Sequence, residues 1–164
     1  MIVLLMGVSG VGKTTIGTQL AASLGWRFLD ADEYHPPANV AKMAAGIPLE
    51  DEDRWPWLDT LNASLRATDA RGESAVLACS ALKQRYRDRL TSGLGECRIV
   101  YLHGDFELIE RRMRERRHRY MPASLLASQF AALEPPRDAI AVEVSATPSL
   151  AVAQIVERLK QNAS

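Results

Sequence analysis

The sequence predicts an α/β domain: a parallel sheet of five strands wrapped by helices, with a helical cap and a basic lid set into the connections. Three observations predict it. An apolar run at the start breaks into a phosphate-binding loop. Short apolar runs recur, each followed by polar or helical sequence. The length of 164 residues with 47% apolar content suits one core rather than two.

The elements follow in chain order. Ile2–Met6 is a run of five apolar residues without polar alternation, the pattern of a strand buried on both faces. Gly7-x-x-x-x-Gly12-Lys13-Thr14 then matches the phosphate-binding pattern G-x-x-x-x-G-K-[ST], and Lys13–Leu24 reads as a helix stopped by Gly25. The loop thus lies between strand and helix, as the motif requires. Gly7, Val8, Ser9, Gly10, Val11, Gly12, Lys13, Thr14 and Thr15 are the candidate nucleotide-binding residues. Their backbone N–H groups can turn on phosphate oxygens, the helix N-terminus adds partial positive charge, Lys13 adds a full one, and Thr14 offers a hydroxyl to Mg²⁺. A dinucleotide fingerprint through Gly10-Val11-Gly12 fails, because its third glycine falls at Thr15.

Further strands are expected at Arg27–Leu29, Ala75–Cys79, Arg98–Leu102 and Ala141–Val144. Residues 37–65 hold about two helices' worth of pattern and read as a cap insertion. Residues 111–136 read as a lid, with a basic stretch followed by Pro122-Ala-Ser-Leu-Leu-Ala-Ser-Gln-Phe. Glu110–Arg119 contains six arginines and His118; Arg116 and Arg119, just before Tyr120-Met121-Pro122, are the candidates to meet a transferring phosphoryl group, while Arg111, Arg112 and Arg114 read as a solvated face. No repeat or low-complexity tract divides residues 1–164, so one domain is expected.

Composition excludes some partners. Twenty basic and 20 acidic residues balance, so no overall field recruits nucleic acid or an anionic membrane. Cys79 and Cys97 lack metal-ligand spacing and read as core thiols in a reducing compartment. The N-terminus lacks a basic start and its apolar run is short for a signal peptide, so the cytoplasm is the expected location.

Motifs narrow the chemistry. A guanine-reading Asn-Lys-x-Asp is absent, and the strands ending at Ser80 and His103 lack the terminal acid of a motor ATPase. The acid comes instead from Phe28-Leu-Asp30-Ala-Asp32, whose carboxylates, two residues apart on a strand, would face one side. Asp30 is the candidate for magnesium and Asp32 for orienting, and deprotonating, an acceptor hydroxyl. Arg54, Lys83 and Arg87 are cations in separate segments; on a helix starting near Ala81, Lys83 and Arg87 would share a face and could bind a carboxylate. From spacing alone, a pairing of Arg54 with Asp51 or Asp53 and a solvated Lys83/Arg87 face stand equally open. His35 and Asn39 supply neutral donors and acceptors suited to a polyol. Trp55 and Trp57, flanking Pro56, read as cap packing.

Three blocks resemble the gluconate kinase family: Asp30-Ala-Asp-Glu-Tyr-His-Pro-Pro-Ala-Asn39 running on to Trp55-Pro-Trp57-Leu58, Ala78-Cys-Ser-Ala-Leu-Lys83-Gln-Arg-Tyr-Arg87-Asp88, and Tyr120-Met-Pro-Ala-Ser-Leu-Leu-Ala-Ser-Gln-Phe130. The resemblance runs from the first strand to about Pro136. It implies an adenylate-kinase-like P-loop NTPase fold, ATP and Mg²⁺, D-gluconate as acceptor, 6-phosphogluconate as product, and a homodimer. It favours acceptor contact at Arg54, Lys83 and Arg87, and it places the Ser145–Pro148 loop beside the adenine. The family's His-Phe-Met-Pro hinge reads Arg119-Tyr120-Met121-Pro122 here, with His118 one place earlier. Within the same fold, a kinase for shikimate or a nucleoside monophosphate is the alternative; outside enzymes, a nucleotide-binding regulatory module is.

Overall fold

Strand β1 (Ile2–Met6) is buried along its whole length, with a neighbour on each side: β3 (Ala75–Ala78) and β4 (Cys97–His103). In the computed structural model, which describes residues 1–115 and 123–162, β2 (Arg27–Asp30) and β5 (Ile140–Glu143) complete a five-stranded sheet of order β2-β3-β1-β4-β5. Every pairing is parallel. The sheet divides the core by the period of two that a strand imposes. Val3 and Leu5 point to the face covered by α1 (Lys13–Leu24) and α7 (Pro148–Gln161), where they join Ile16, Leu20 and Ile155. Ile2, Leu4 and Met6 point to the other face, against Leu58, Leu61 and Leu65 of α3 (Asp51–Ala70) and Leu90 of α4 (Gln84–Thr91).

The remaining helices are α2 (Pro37–Ala44), α5 (Phe106–Glu115) and α6 (Ala123–Ala132). The extent of α3 corrects the expected cap insertion. Trp57, Leu58, Leu61 and Leu65 are buried in the second core layer, so the helix is part of the main body, and what projects as a cap is α2 with the loop to Leu49. An apolar stripe spaced for a helix does not reveal whether it covers a sheet or an insertion; only packing decides. Asp53 and its neighbour Glu50 tie the cap to the body. Glu50 and Asp53 form a capping box at the start of α3, and Asp53 also receives Lys42 of α2 at 2.8 Å.

Topology decides where a ligand sits. The chain leaves β1 for β2 on one side and reaches β4 on the other, so the crevice outside the carboxyl end of β1 lies at the switch point of the sheet. The phosphate-binding loop, Asp30 at the end of β2 and Cys79-Ser80 after β3 all meet there.

Candidate active site

The phosphate loop is held open by a defined set of bonds. Gly7 N–H donates to the Ser80 carbonyl at 3.4 Å and Val11 N–H to the Val8 carbonyl at 3.3 Å. The Lys13 ammonium donates to the carbonyls of Gly7 and Val8 at 2.8 and 3.0 Å, folding the side chain back across the loop mouth. Gly12 caps α1 with φ +103° and supplies no side chain. Among the described residues, the N–H groups of Gly10, Gly12, Lys13, Thr14 and Thr15 have no protein acceptor, so five donors aim at one place. Gly10 is required twice over: its φ is +84°, and a Cβ there would lie 2.5 Å from Met113 Cγ of α5.

One loop residue departs from the expectation. Ser9 N–H does not turn on the phosphate position; it donates to Gln129 Oε1 of α6 at 2.8 Å, while Gln129 Nε2 donates to Ser9 Oγ at 3.0 Å. Helix α6 therefore grips the loop, a contact across 120 residues of sequence that no local pattern signals.

Beside the loop, Asp30 and Asp32 act electrostatically on Lys13, but not as a strand pair. β2 ends at Asp30, whose Oδ1 accepts the Asp32 N–H at 3.0 Å and caps a 3₁₀ turn, Ala31–Tyr34, on which Asp32 rides exposed. Asp30 is the capping acid that competes with strand continuation, the usual behaviour of Asp at a chain reversal. Burial pulls the Lys13 ammonium down to about 8, with the two carboxylates opposing. Behind it, desolvation pushes the buried Cys79 thiol up to about 12, which makes it a packing residue rather than a nucleophile.

On the cap side, His35 stacks on Trp57 with ring centres 4.1 Å apart, and Trp57 Nε1 donates to the Ala31 carbonyl at 2.7 Å. Trp57 thus fastens the 3₁₀ turn, as cap packing requires. Asn39 Nδ2 donates to the Asp53 carbonyl at 2.9 Å and lies 3.2 Å from His35 Nδ1. An amide nitrogen only donates, so Nδ1 accepts, and the neutral imidazole carries its proton on Nε2. Burial lowers the His35 pKa below 6.5; Asp32 opposes this and Arg54 adds to it.

Arg54 pairs with neither Asp51 nor Asp53. Its Nη1 donates to the Leu49 carbonyl at 2.7 Å and to Tyr86 Oη at 3.3 Å, with the guanidinium 5.1 Å from the Tyr86 ring centre. Asp51 instead accepts from Tyr86 Oη at 2.6 Å and from Arg85, and Asp53 from Lys42. Lys83 acts on Asp51 electrostatically, and its ammonium makes no hydrogen bond among the described residues.

Arg87 corrects the sequence reading. The helix starts at Gln84 with Lys83 as its cap, so the two cations do not share a helix face. Arg87 is 1% exposed. It donates to the carbonyls of Ala81, Leu82 and Glu134 at 2.8, 3.1 and 2.8 Å and to Gln84 Oε1 at 3.0 Å. Arg87 is neither a solvated charge nor a group that reaches the crevice: it pins the segment after α6 to the start of α4. The reason is the positive φ of 44° at Ala81, which turns two carbonyls toward the guanidinium. Arg116 and Arg119, with His118, lie outside the described residues.

Sequence reasoning missed two side chains. Gln129 is the first. The second is Arg112, read as part of a solvated face; it lines a cavity of about 340 Å³ with Gly10, Gly12, Thr15 and the Ser145–Pro148 loop, which is the loop the resemblance placed beside the adenine. Arg114 does pair with Glu110 on the helix surface. The cavity opens directly onto the free N–H groups, so a flat group seated there would present an attached phosphate chain to the loop. No cluster of three or more acidic, His or Cys metal ligands exists among the described residues.

Comparison with known proteins identifies the family. A family model described as AAA domain matches residues 2–136. The gluconokinase of Gluconobacter oxydans is 51% identical, the match covering 81% of this chain and 75% of that protein. The probable gluconokinase of Xenopus tropicalis is 44% identical, over 94% and 91% of the two chains. The chain belongs to the gluconokinase family. The crystal structure of a gluconokinase from Sinorhizobium meliloti 1021 superposes with a TM-score of 0.83 at 39% identity, covering 99% of this chain and 97% of that one. The fold is accordingly that of the P-loop kinases, and the phosphate loop is the nucleotide-binding loop of an ATP-dependent kinase. None of the described helices is long and apolar enough to cross a membrane.

Proposed function

We propose that this chain is a gluconokinase that transfers the γ-phosphoryl group of ATP to the 6-hydroxyl of D-gluconate, as a cytoplasmic homodimer. The observation that carries the reading is geometric: Lys13 is folded across the phosphate loop, and the Asp30-capped turn that bears Asp32 is fastened through its Ala31 carbonyl to Trp57, on which His35 stacks. A phosphate-binding loop at one end and a cationic, hydroxyl-reading cap at the other leave Asp32 between them.

The roles follow from chemistry. Lys13, with the free N–H groups of the loop, neutralises charge that builds up on the transferring group. Asp32, which is exposed, orients the acceptor hydroxyl and accepts its proton as the new O–P bond forms and the bond from the γ-phosphorus to the β-phosphate oxygen breaks, with ADP as leaving group. His35 offers its Nε2–H to a sugar hydroxyl. Arg54 and Lys83 face the acceptor carboxylate; Arg87 acts through the fold instead. Arg116 and Arg119 of the lid supply further cations to the phosphoryl group. Hard oxygen donors suit Mg²⁺, and Thr14 and Asp30 would offer it a hydroxyl and a carboxylate next to the loop. Bound there, the ion would supply positive charge against the charge of the phosphate chain.

ADP release coupled to a dye tests the assignment across gluconate, glucose, shikimate and nucleoside monophosphates. Gluconate alone should sustain turnover, and the Asp32→Asn variant should lose kcat far more than ATP affinity, because an amide can hold the hydroxyl but takes no proton. Turnover on another acceptor with none on gluconate overturns the reading.

A further inference from the structure

We infer that the Ser9 hydroxyl is a hydrogen-bond donor to the terminal phosphoryl group, and that Gln129 of the lid helix sets it in that role. The inference rests on the ATP-dependent kinase reading; it gives the Ser9 side chain a defined task and adds Gln129 to the machinery.

The argument begins with the two bonds between Ser9 and Gln129. A backbone N–H only donates, so the Gln129 atom 2.8 Å from Ser9 N is the carbonyl Oε1; the amide nitrogen is then the atom 3.0 Å from Ser9 Oγ, and it donates. One amide therefore meets Ser9 at two points and fixes its side chain. Because Ser9 Oγ accepts from Gln129, its own proton must go elsewhere, and among the described residues no acceptor receives it. A half-buried hydroxyl that accepts from Gln129 and has no acceptor among the described residues can give its proton to an incoming oxygen.

Position says which oxygen. The cavity at the other end of the loop is lined by Gly10, Gly12 and Thr15, and Ser9 is not part of its wall. A nucleotide whose base occupies that cavity sets its first phosphate by the start of α1 and extends its last one toward Lys13. Lys13 is bonded to the carbonyl of Val8, the residue before Ser9. Ser9 thus stands at the terminal-phosphate end. The grip is also anchored: five residues beyond Gln129, Glu134 is tied to the start of α4 by its N–H to the Leu82 carbonyl at 2.8 Å, by its carboxylate to Gln84 N–H at 2.7 Å and by its carbonyl to Arg87. The far end of α6 is held while its middle holds Ser9.

The two possible roles of Gln129, mechanical and orienting, separate on substitution. Gln129→Glu preserves shape and still accepts from the Ser9 N–H. A carboxylate cannot donate, however, so it accepts the Ser9 hydroxyl proton as well and turns it away from the phosphate. Ser9→Ala removes the donor outright. Each variant should lower kcat with gluconate by roughly 100-fold, the usual loss when one preorganised donor is removed, with KM for gluconate little changed. The double variant should fall no further than either single one. The second readout needs no turnover: calorimetric titration with ATP and with ADP should show the ATP affinity lowered in both variants and the ADP affinity unchanged, because ADP lacks the group that Ser9 meets. Melting temperatures should stay at the unmodified value. A Gln129→Glu variant with full kcat and an unchanged ATP-to-ADP preference overturns the inference and leaves Gln129 a mechanical latch. Equal loss of ATP and ADP affinity in Ser9→Ala also overturns it. Failure of the unmodified chain to form ADP with gluconate would instead fault the acceptor assignment, which the ATP and ADP titrations do not depend on.

Discussion

Desolvation inside the phosphate loop holds Lys13 at about 8 rather than 10.5, with the nearby carboxylates limiting the fall. Two consequences can be measured. Above pH 8 much of the empty protein carries a neutral lysine, and polyphosphate restores the ammonium, so ATP binding should draw a proton from solution. Calorimetry at a pH just above 8 in two buffers of different ionisation enthalpy reads this directly, and Lys13→Ala should show no such uptake while losing on the order of 3 kcal/mol of transition-state stabilisation. The sign for folding is opposite to that of an ion-paired lysine. The folded chain binds fewer protons than the unfolded one between 8 and 10.5, so Lys13 costs stability while charged and that cost fades as pH rises through this window. His35 behaves alike at lower pH. Its folded pKa lies below 6.5, so the unfolded chain takes up its proton first and stability falls as pH drops below that value. Protonation also puts a hydrogen on the Nδ1 that accepts from Asn39, so gluconate kcat/KM should decline in the same window, and a His35→Gln variant should flatten both profiles.

Among the elements, α4 and α6 are joined by a buried guanidinium rather than by an apolar seam. Arg87→Met should leave the carbonyls of Ala81, Leu82 and Glu134 without donors at a site 1% exposed. At about 1 kcal/mol for each lost bond the variant should be destabilised by about 3 kcal/mol, read from denaturant midpoints. Because the clasp supports the fold and not the acceptor, kcat/KM for gluconate and the residual value for glucose should fall by the same factor; selective damage to gluconate would show that Arg87 reaches the crevice. Elements whose signal is local were legible in the chain: β1 and α1 run as their composition indicates, because a run of apolar residues and a Gly stop act over a few residues. The helix face expected to be shared by Lys83 and Arg87 is not formed, because four-residue spacing means a shared face only inside a helix, and that helix begins at Gln84.

At the scale of the whole molecule, balanced charge supplies no overall field for an anion, so the proposed function leaves recognition of the acceptor carboxylate to Arg54 and Lys83. Glucose offers comparable hydroxyls without a carboxylate, so in a closed complex Arg54 and Lys83 would be desolvated with nothing to meet. Sites built around a polar partner reject a ligand lacking it by roughly 10⁴-fold, so kcat/KM for gluconate should exceed that for glucose by a factor of that order. Substituting Arg54→Met should narrow the gap by lowering only the gluconate value. Comparable turnover of both sugars by the unmodified chain would show that these cations read something else.

The sequence alone determined the layered fold, the phosphate loop and the residue types of its chemistry, because each depends on contacts within a few positions: a strand's apolar run, a glycine at positive φ, a lysine one residue past it. Tertiary structure alone decided which of those residues meet. The carboxylates of Asp30 and Asp32 are brought to Lys13 by a capped 3₁₀ turn and not by strand alternation. Gln129 reaches Ser9 across 120 residues, and Arg87 is drawn inward by carbonyls from a turn and from the end of another helix. Carbonyls and amide groups are present at every residue and carry no signature in the sequence, so a side chain whose partners are backbone atoms reveals its role only when the chain has folded around it.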